Sequence, residues 1–125
     1  MENKEIIYKE LSYQIIGCAM EVHKQLGVGF LESVYEDAFK IELKAKDIPF
    51  KSQVKYSIAY KNTYIKDFHC DLIVDDKIVI ELKAIKQITD INRAQILNYL
   101  KVTKLKLGII INFGENSLKY ERILL

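Results

Sequence analysis

The sequence predicts one α/β domain over residues 1–125, a sandwich of helices around a mixed β-sheet. Three observations lead there. Two segments with apolar residues at helical spacing open the chain, at 4–25 and 31–46. Three alternating apolar stretches follow, at 53–60, 64–74 and 77–84, separated by turn residues, and read as an antiparallel meander. A helical pattern at 90–103 then leads to an unbroken apolar run at 107–113. A strand–helix–strand unit of that kind crosses over right-handed and makes its two strands parallel, so the sheet mixes orientations.

Each element has a local cause. Asn3 is placed to cap the first helix, whose stripe is Ile7, Leu11, Ile15, Cys18, Val22 and Leu26, and Gly27 is a natural stop. His23, near its end, reads as a surface or dipole-facing residue. The second helix carries the row Glu32, Tyr35, Phe39 and Leu43 along one flank. Glu32 heads that row, either as a first-turn carboxylate favoured by the dipole or at the rim of a site. Pro49 ends the helix region, and Lys61-Asn62 forms the first hairpin turn. Thr89 caps the third helix. The run at 107–113 is apolar on both faces and therefore buried. Residues 114–125 are expected to add a short edge strand.

Composition bounds the function. At 125 residues and 50% hydrophobic, the chain can bury its own core and is not disordered. No run of about eighteen apolar residues is present to span a membrane, and the opening Met-Glu-Asn-Lys-Glu lacks a signal-peptide core. Cys18 and Cys70 sit in apolar segments as free thiols would, so a cytoplasmic location is expected. Neither cysteine has the paired spacing to His23 or His69 that a zinc site needs. Residues 1–50 have six lysines against nine acids; residues 51–125 have thirteen basic residues against eight acids. The basic half suits a polyanion.

That same half holds the unusual residues. Asp71, Glu81 and Lys83 interrupt strands otherwise built from Ile, Val and Leu. Buried charges cost several kcal/mol each unless paired or metal-bound. Glu81 and Lys83 are two apart, so a strand sends both to one face. A two-residue turn at Asp75-Asp76 would put Asp71 on the other face. A three-residue turn, Asp75 to Lys77, pairs Val74 with Ile78 and Asp71 with Glu81, so a shared site requires an odd-length turn or a bulge. Two facing carboxylates make a hard-oxygen site suited to Mg²⁺, with the Leu82 carbonyl as a further ligand. Lys83 beside it would polarise a water or stabilise charge on a phosphate. The structural alternative is a cross-strand salt bridge between Lys83 and either acid.

Asp71 followed by Glu81-x-Lys83 on a meander resembles the PD-(D/E)XK nuclease superfamily. Gln95-x-x-x-Tyr99 on the next helix is similar to the extra motif of its RecB-like branch. Gly29-x-x-Glu32-x-x-Tyr35, Leu31-Glu-Ser-Val-Tyr35, Val79-Ile-Glu-Leu-Lys-Ala84 and Leu107-Gly-Ile-Ile-Ile-Asn-Phe-Gly114 resemble the small GxxExxY proteins of that superfamily. The resemblance covers about residues 5–120. It implies a restriction-endonuclease-like αβββαβ core with an extra N-terminal helix. It implies a nuclease using Mg²⁺, or Mn²⁺ in its place, on DNA more than RNA. Its implied catalytic residues are Asp71, Glu81, Lys83, Glu32 and Gln95, and its metal ligands Asp71, Glu81, Leu82 and Glu32. Gln95, Tyr99 and Tyr35 would contact substrate. Cys70 stands where the motif's name has proline, a variable position. His69 would neighbour the site. A homodimer through the exposed meander face is compatible with the pattern. The alternative is a nuclease-fold module that binds nucleic acid or protein without cutting.

Overall fold

The computed structural model describes residues 6–125. Its elements run α1 (Lys9–Leu26), α2 (Glu32–Ala45), β1 (Phe50–Tyr60), β2 (Thr63–Val74), β3 (Ile78–Lys83), α3 (Asp90–Thr103), β4 (Leu107–Asn112) and β5 (Lys119–Leu124). The strands form one sheet in chain order. β1, β2 and β3 are the antiparallel meander, β3 and β4 are parallel, and β5 is an antiparallel edge strand beside β4. This is the mixed sheet flanked by helices that the restriction-endonuclease-like core requires.

Helices cover both faces. On one, Ile15, Cys18 and Val22 of α1 and Tyr35, Phe39 and Leu43 of α2 pack with Leu72, Ile78, Ile80, Leu82, Ile109 and Ile111. On the other, Ile96, Tyr99 and Leu100 of α3 pack with Ile73, Val79 and Ile110. Each fully buried aliphatic side chain contributes about 1.5–3 kcal/mol. β3, the strand carrying Glu81 and Lys83, is the central strand of the sheet and is buried over all but its last residue.

Several boundaries follow the sequence closely. Thr89 caps α3 through a capping box with Asn92, whose backbone N–H donates to the Thr89 hydroxyl. Lys61 and Asn62 both take positive φ in the two-residue hairpin turn. Gly27 closes α1 at φ 69. Others differ. Asn3 lies outside the described residues, and α1 begins at Lys9, so Ile7 precedes the helix instead of joining its stripe. Tyr8, just before the helix, takes the left-handed conformation at φ 52, and the Arg122 guanidinium of β5 donates to the Ile7 carbonyl. β1 starts at Phe50, directly after Pro49, because Phe50 pairs with Val74. Among the described residues no helix is long and apolar enough to cross a membrane. Cys18 and Cys70 are free and buried.

Candidate active site

The turn between β2 and β3 decides the site. Val74 pairs with Ile78, leaving Asp75, Asp76 and Lys77 as a three-residue turn, with Asp75 and Asp76 at positive φ and the Lys77 N–H bonded to the Val74 carbonyl at 2.9 Å. The pairing continues to Leu72 opposite Ile80, so one more step sets Asp71 across from Glu81.

At that step the ladder opens. Gln53, at φ 50, sits between the pairs Ser52–Leu72 and Val54–Cys70. Phe50, Leu72 and Val74 pack on the α1/α2 side, yet Val54 and Cys70 pack on the α3 side. Both strands therefore exchange faces at Gln53 and Asp71, where strict alternation would have kept each parity on its own side. Asp71 at this switch point uses its Oδ2 to accept from the Leu82 N–H at 2.9 Å, so a carboxylate replaces a main-chain partner between two splaying strands.

Glu81 is 3% exposed, and its Oε2 lies 3.6 Å from the Lys83 ammonium. Burial, then the neighbouring Asp71, pushes the Glu81 carboxyl up to about 8, with Lys83 opposing and Glu32 adding to the rise. Asp71 is also raised, first by burial, with the Leu82 N–H and Lys83 opposing and Glu36 adding. Glu32, at the start of α2, is raised by burial against the pull of Lys83, with Asp71 and Glu36 adding to the rise. Three carboxyl groups thus share the field of one lysine, with Glu36 adding a fourth negative charge nearby. Removing protons from such a group is costly until a cation compensates. A hard divalent ion fits this donor chemistry: buried carboxylate oxygens, a nearby backbone and an acid at the rim. Among the described residues no three His, Cys, Asp or Glu side chains form a ready-made cage. Mg²⁺ needs only one or two protein carboxylates, keeping waters for the rest.

Gln95 and Tyr99 meet on α3, the Gln95 amide donating to the Tyr99 hydroxyl at 3.0 Å. Tyr99 is packed edge-on against Phe68 at 5.6 Å. Burial and then Glu81 push its hydroxyl up to about 12, the Gln95 bond opposing, so it stays a neutral donor. Cys70 is pushed to about 11 by burial, then by Glu81 and Asp71, and is an inert thiol there.

Tyr35 is a correction. Expected at the substrate, it is fully buried: its hydroxyl donates to the Gly27 carbonyl at 2.5 Å and accepts from the Phe30 N–H at 3.3 Å. Its ring stacks on Phe113 at 4.7 Å. A tyrosine three residues after Glu32 faces the core and holds the loop that launches α2. His23 is corrected likewise: its Nε2 meets the Glu115 carbonyl at 2.7 Å and its ring lies over Phe113. His69 is exposed opposite Lys55, and among the described residues it has no partner that ties it to the carboxyls.

Two residues of the site were not singled out from the sequence. Glu36 lies one turn beyond Glu32, 3.1 Å from Lys40 and bonded by Gln53 at 3.0 Å, and the i, i+4 spacing carried that signal. Asn112 ends β4 fully buried. Its Oδ1 accepts from the Ile85 and Gly114 N–H groups at 3.0 and 3.1 Å, and its Nδ2 donates to the Ile85 carbonyl and Glu115, both at 3.0 Å. The Phe113 N–H bonds the Lys83 carbonyl at 2.8 Å. Gly114 lies so close that a Cβ there would run into the Ile85 backbone. The segment after Lys83 is therefore clamped on both sides. A polar amide closing an otherwise apolar strand was the available clue. A separate cavity of about 690 Å³, between α1 and β5, shares none of these residues.

The Glu81 shift has a measurable consequence. Its proton affinity is higher folded than unfolded, from 4.5 to about 8, so the folded state holds the extra proton between those values. The resulting stability is present in full below 4.5 and is lost as pH rises through 8. Thermal unfolding in EDTA should show Tm falling over that window, and Glu81→Gln should flatten the decline. Equal pH slopes in the two proteins would refute the assignment.

A family model described as the PD-(D/E)XK nuclease superfamily matches residues 9–123, and the chain belongs to that superfamily. Among solved structures, "Crystal structure of SSO0001" is similar at 12% identity and a TM-score of 0.61, over 96% of this chain and 78% of that one, which shows a shared fold. None of the curated proteins compared matches this chain.

Proposed function

We propose that the chain is a single nuclease-like domain over 1–125 that hydrolyses phosphodiester bonds in DNA, with RNA the lesser substrate, using Mg²⁺ or Mn²⁺. One observation carries the reading: Asp71, Glu81 and Lys83 converge where β2 and β3 splay, with the Asp71 carboxylate on the Leu82 N–H. Superfamily membership supports it. The spacing of Gly29, Glu32 and Tyr35 supports placing the chain among the GxxExxY proteins.

Asp71 and Glu81 would hold the ion with the Leu82 carbonyl, and Glu32 would reach it through water from the rim. The ion would supply Lewis acidity toward the phosphate and lower the pKa of a bound water. The chain's own groups do the rest. Lys83 presents an ammonium 3.6 Å from Glu81, where it orients the attacking water and offsets charge as the phosphate becomes pentacovalent. Gln95 fixes the Tyr99 hydroxyl, and the pair steadies the Glu81 side of the site and offers donors to the nucleic-acid backbone. Two buried free thiols support a reducing, cytoplasmic setting. Self-association through the meander face would show as about twice the 14.6 kDa chain mass in light scattering.

The test is cleavage of end-labelled single- and double-stranded DNA and RNA by purified protein with Mg²⁺ or Mn²⁺. Metal-dependent products are expected on DNA and none in EDTA; no cleavage of any form would overturn the reading. A second reading, a nuclease-fold module that binds without cutting, is favoured by one feature. Lys83 already lies beside Glu81 and partly neutralises it without an ion. That reading requires no divalent binding and Asp71→Asn neutral or stabilising.

A further inference from the structure

β1 and β2 continue well past the sheet. β2 pairs with β3 only over Leu72, Ile73 and Val74, whereas β1 and β2 pair with each other out to Tyr60 and Thr63. Tyr56 and Phe68 are the outermost pair resting on the α3-side core. Residues 57–66 extend beyond it as a two-stranded ribbon, about 15 Å long at roughly 3.3 Å per residue. The register shifts between Ile58 and Ala59, a device that bends and twists such a ribbon.

This ribbon is not what a solvated hairpin should look like. Tyr60 and Tyr64 are each 62% exposed and Ile65 is 56% exposed. Its only charges are Lys61 and Lys66. Among the described residues neither has an acid within 4.0 Å, and Lys61 sits over the Tyr60 ring at 5.5 Å. Lysines nearer the base are paired, Lys55 with Asp67 and Lys51 with Asp76. An isolated two-stranded ribbon is marginal in water and gains stability from a partner. The outgoing strand leads within five residues from Lys66 to Asp71, so the ribbon and the carboxyl site share one strand.

We propose that residues 57–66 are a DNA-gripping arm that enters the major groove of a B-form duplex. The arm sets Lys61 and Lys66 against phosphates, with Tyr60, Asn62 and Tyr64 at the groove floor or walls. Charge complementarity favours a polyanion over a second copy of this chain, because two such tips would repel. The major groove of B-DNA, about 12 Å wide, admits a two-stranded ribbon, and the deep, narrow groove of A-form RNA does not. The inference rests on the nuclease reading for its substrate class but is read without catalysis.

The experiment is duplex binding by fluorescence anisotropy in EDTA across a salt series. For wild type, log K against log salt gives the number of phosphates neutralised, about 0.9 per contact. Lys61→Ala with Lys66→Ala should lower that slope by about 2. Lys61→Arg with Lys66→Arg should restore it, and Lys44→Ala with Lys101→Ala, away from the ribbon, should leave it near wild type. A slope unchanged by the ribbon substitutions, or lowered equally by the distant pair, overturns the proposal. Tighter binding to single strands or to double-stranded RNA overturns it too, as does loss of a dimer as the main effect of the ribbon substitutions. If the metal-dependent cleavage assay fails while the ribbon slope behaves as described, the hydrolytic reading falls and the arm stands.

Discussion

Lys83→Ala is expected to reduce DNA cleavage by 10²- to 10³-fold while leaving divalent binding in place. The magnitude follows from removing one preorganised group that meets charge only as it develops in the transition state, a loss of about 3–4 kcal/mol. Lys83 is held for that role. Its strand is central, its side chain is 19% exposed, and its carbonyl is tied to the Phe113 N–H. The same geometry predicts how the loss divides. The ammonium partly offsets Glu81 in the resting site, so its removal leaves the carboxyls more crowded and does not weaken their attraction for a cation. The rate constant for cleavage should collapse with the substrate concentration for half-saturation little changed, as expected when the lost interaction belongs to the transition state. Lys83→Arg should restore little, because a planar fork does not replace a compact ammonium at 3.6 Å from a carboxylate. Wild-type cleavage by Lys83→Ala would mean that the reaction proceeds elsewhere or not at all.

Asn112→Leu should destabilise the protein by more than about 3 kcal/mol, the largest effect expected of any single substitution outside the hydrophobic core. The amide satisfies the Ile85 N–H and carbonyl, the Gly114 N–H and Glu115 at once. Leucine of similar volume would leave these without partners at a fully buried position, at about 1–3 kcal/mol for each buried group. Thermal unfolding should fall by roughly 10 °C or more, given about 3–6 °C per kcal/mol for a domain of this size. Asn112→Asp keeps acceptors for the two N–H groups and should cost less at low pH, where its carboxyl can also donate. The effect reaches the site, because the clamped segment begins two residues after Lys83. A change of less than 1 kcal/mol for Asn112→Leu would show that the clamp is incidental.

The part of this structure that could be read from sequence was the part governed by short-range geometry. The odd-length turn at Asp75, Asp76 and Lys77 followed from requiring Asp71 and Glu81 to face one another, and the strands pair in that register. The Thr89 cap, the Lys61-Asn62 turn and the parallel β3–β4 pair likewise follow from local rules. What escaped depended on long-range contacts. Tyr35 carries a motif position that suggests substrate, but its fate is set by Gly27 and Phe113, the latter 78 positions away. His23 looked like a helix-end residue until Glu115 supplied its partner. The Ile7 carbonyl, just ahead of α1, is met by Arg122, 115 positions away. The exchange of faces at Gln53 and Asp71 had no signature in the alternation of β2, because Cys70 is small and apolar enough for either side. That exchange aims Asp71 along the edge of β3, and two-residue periodicity alone would have described its position less well than the structure does.

The central claim is that the carboxyls at the β2–β3 splay form a divalent-ion site, and calorimetric titration of Mn²⁺ into wild type and Asp71→Asn at pH 7 tests it most directly. Saturable binding by wild type, with release of protons as Glu81 ionises and with binding lost in Asp71→Asn, is the predicted result. Absence of binding to wild type, or equal binding to both proteins, would contradict it.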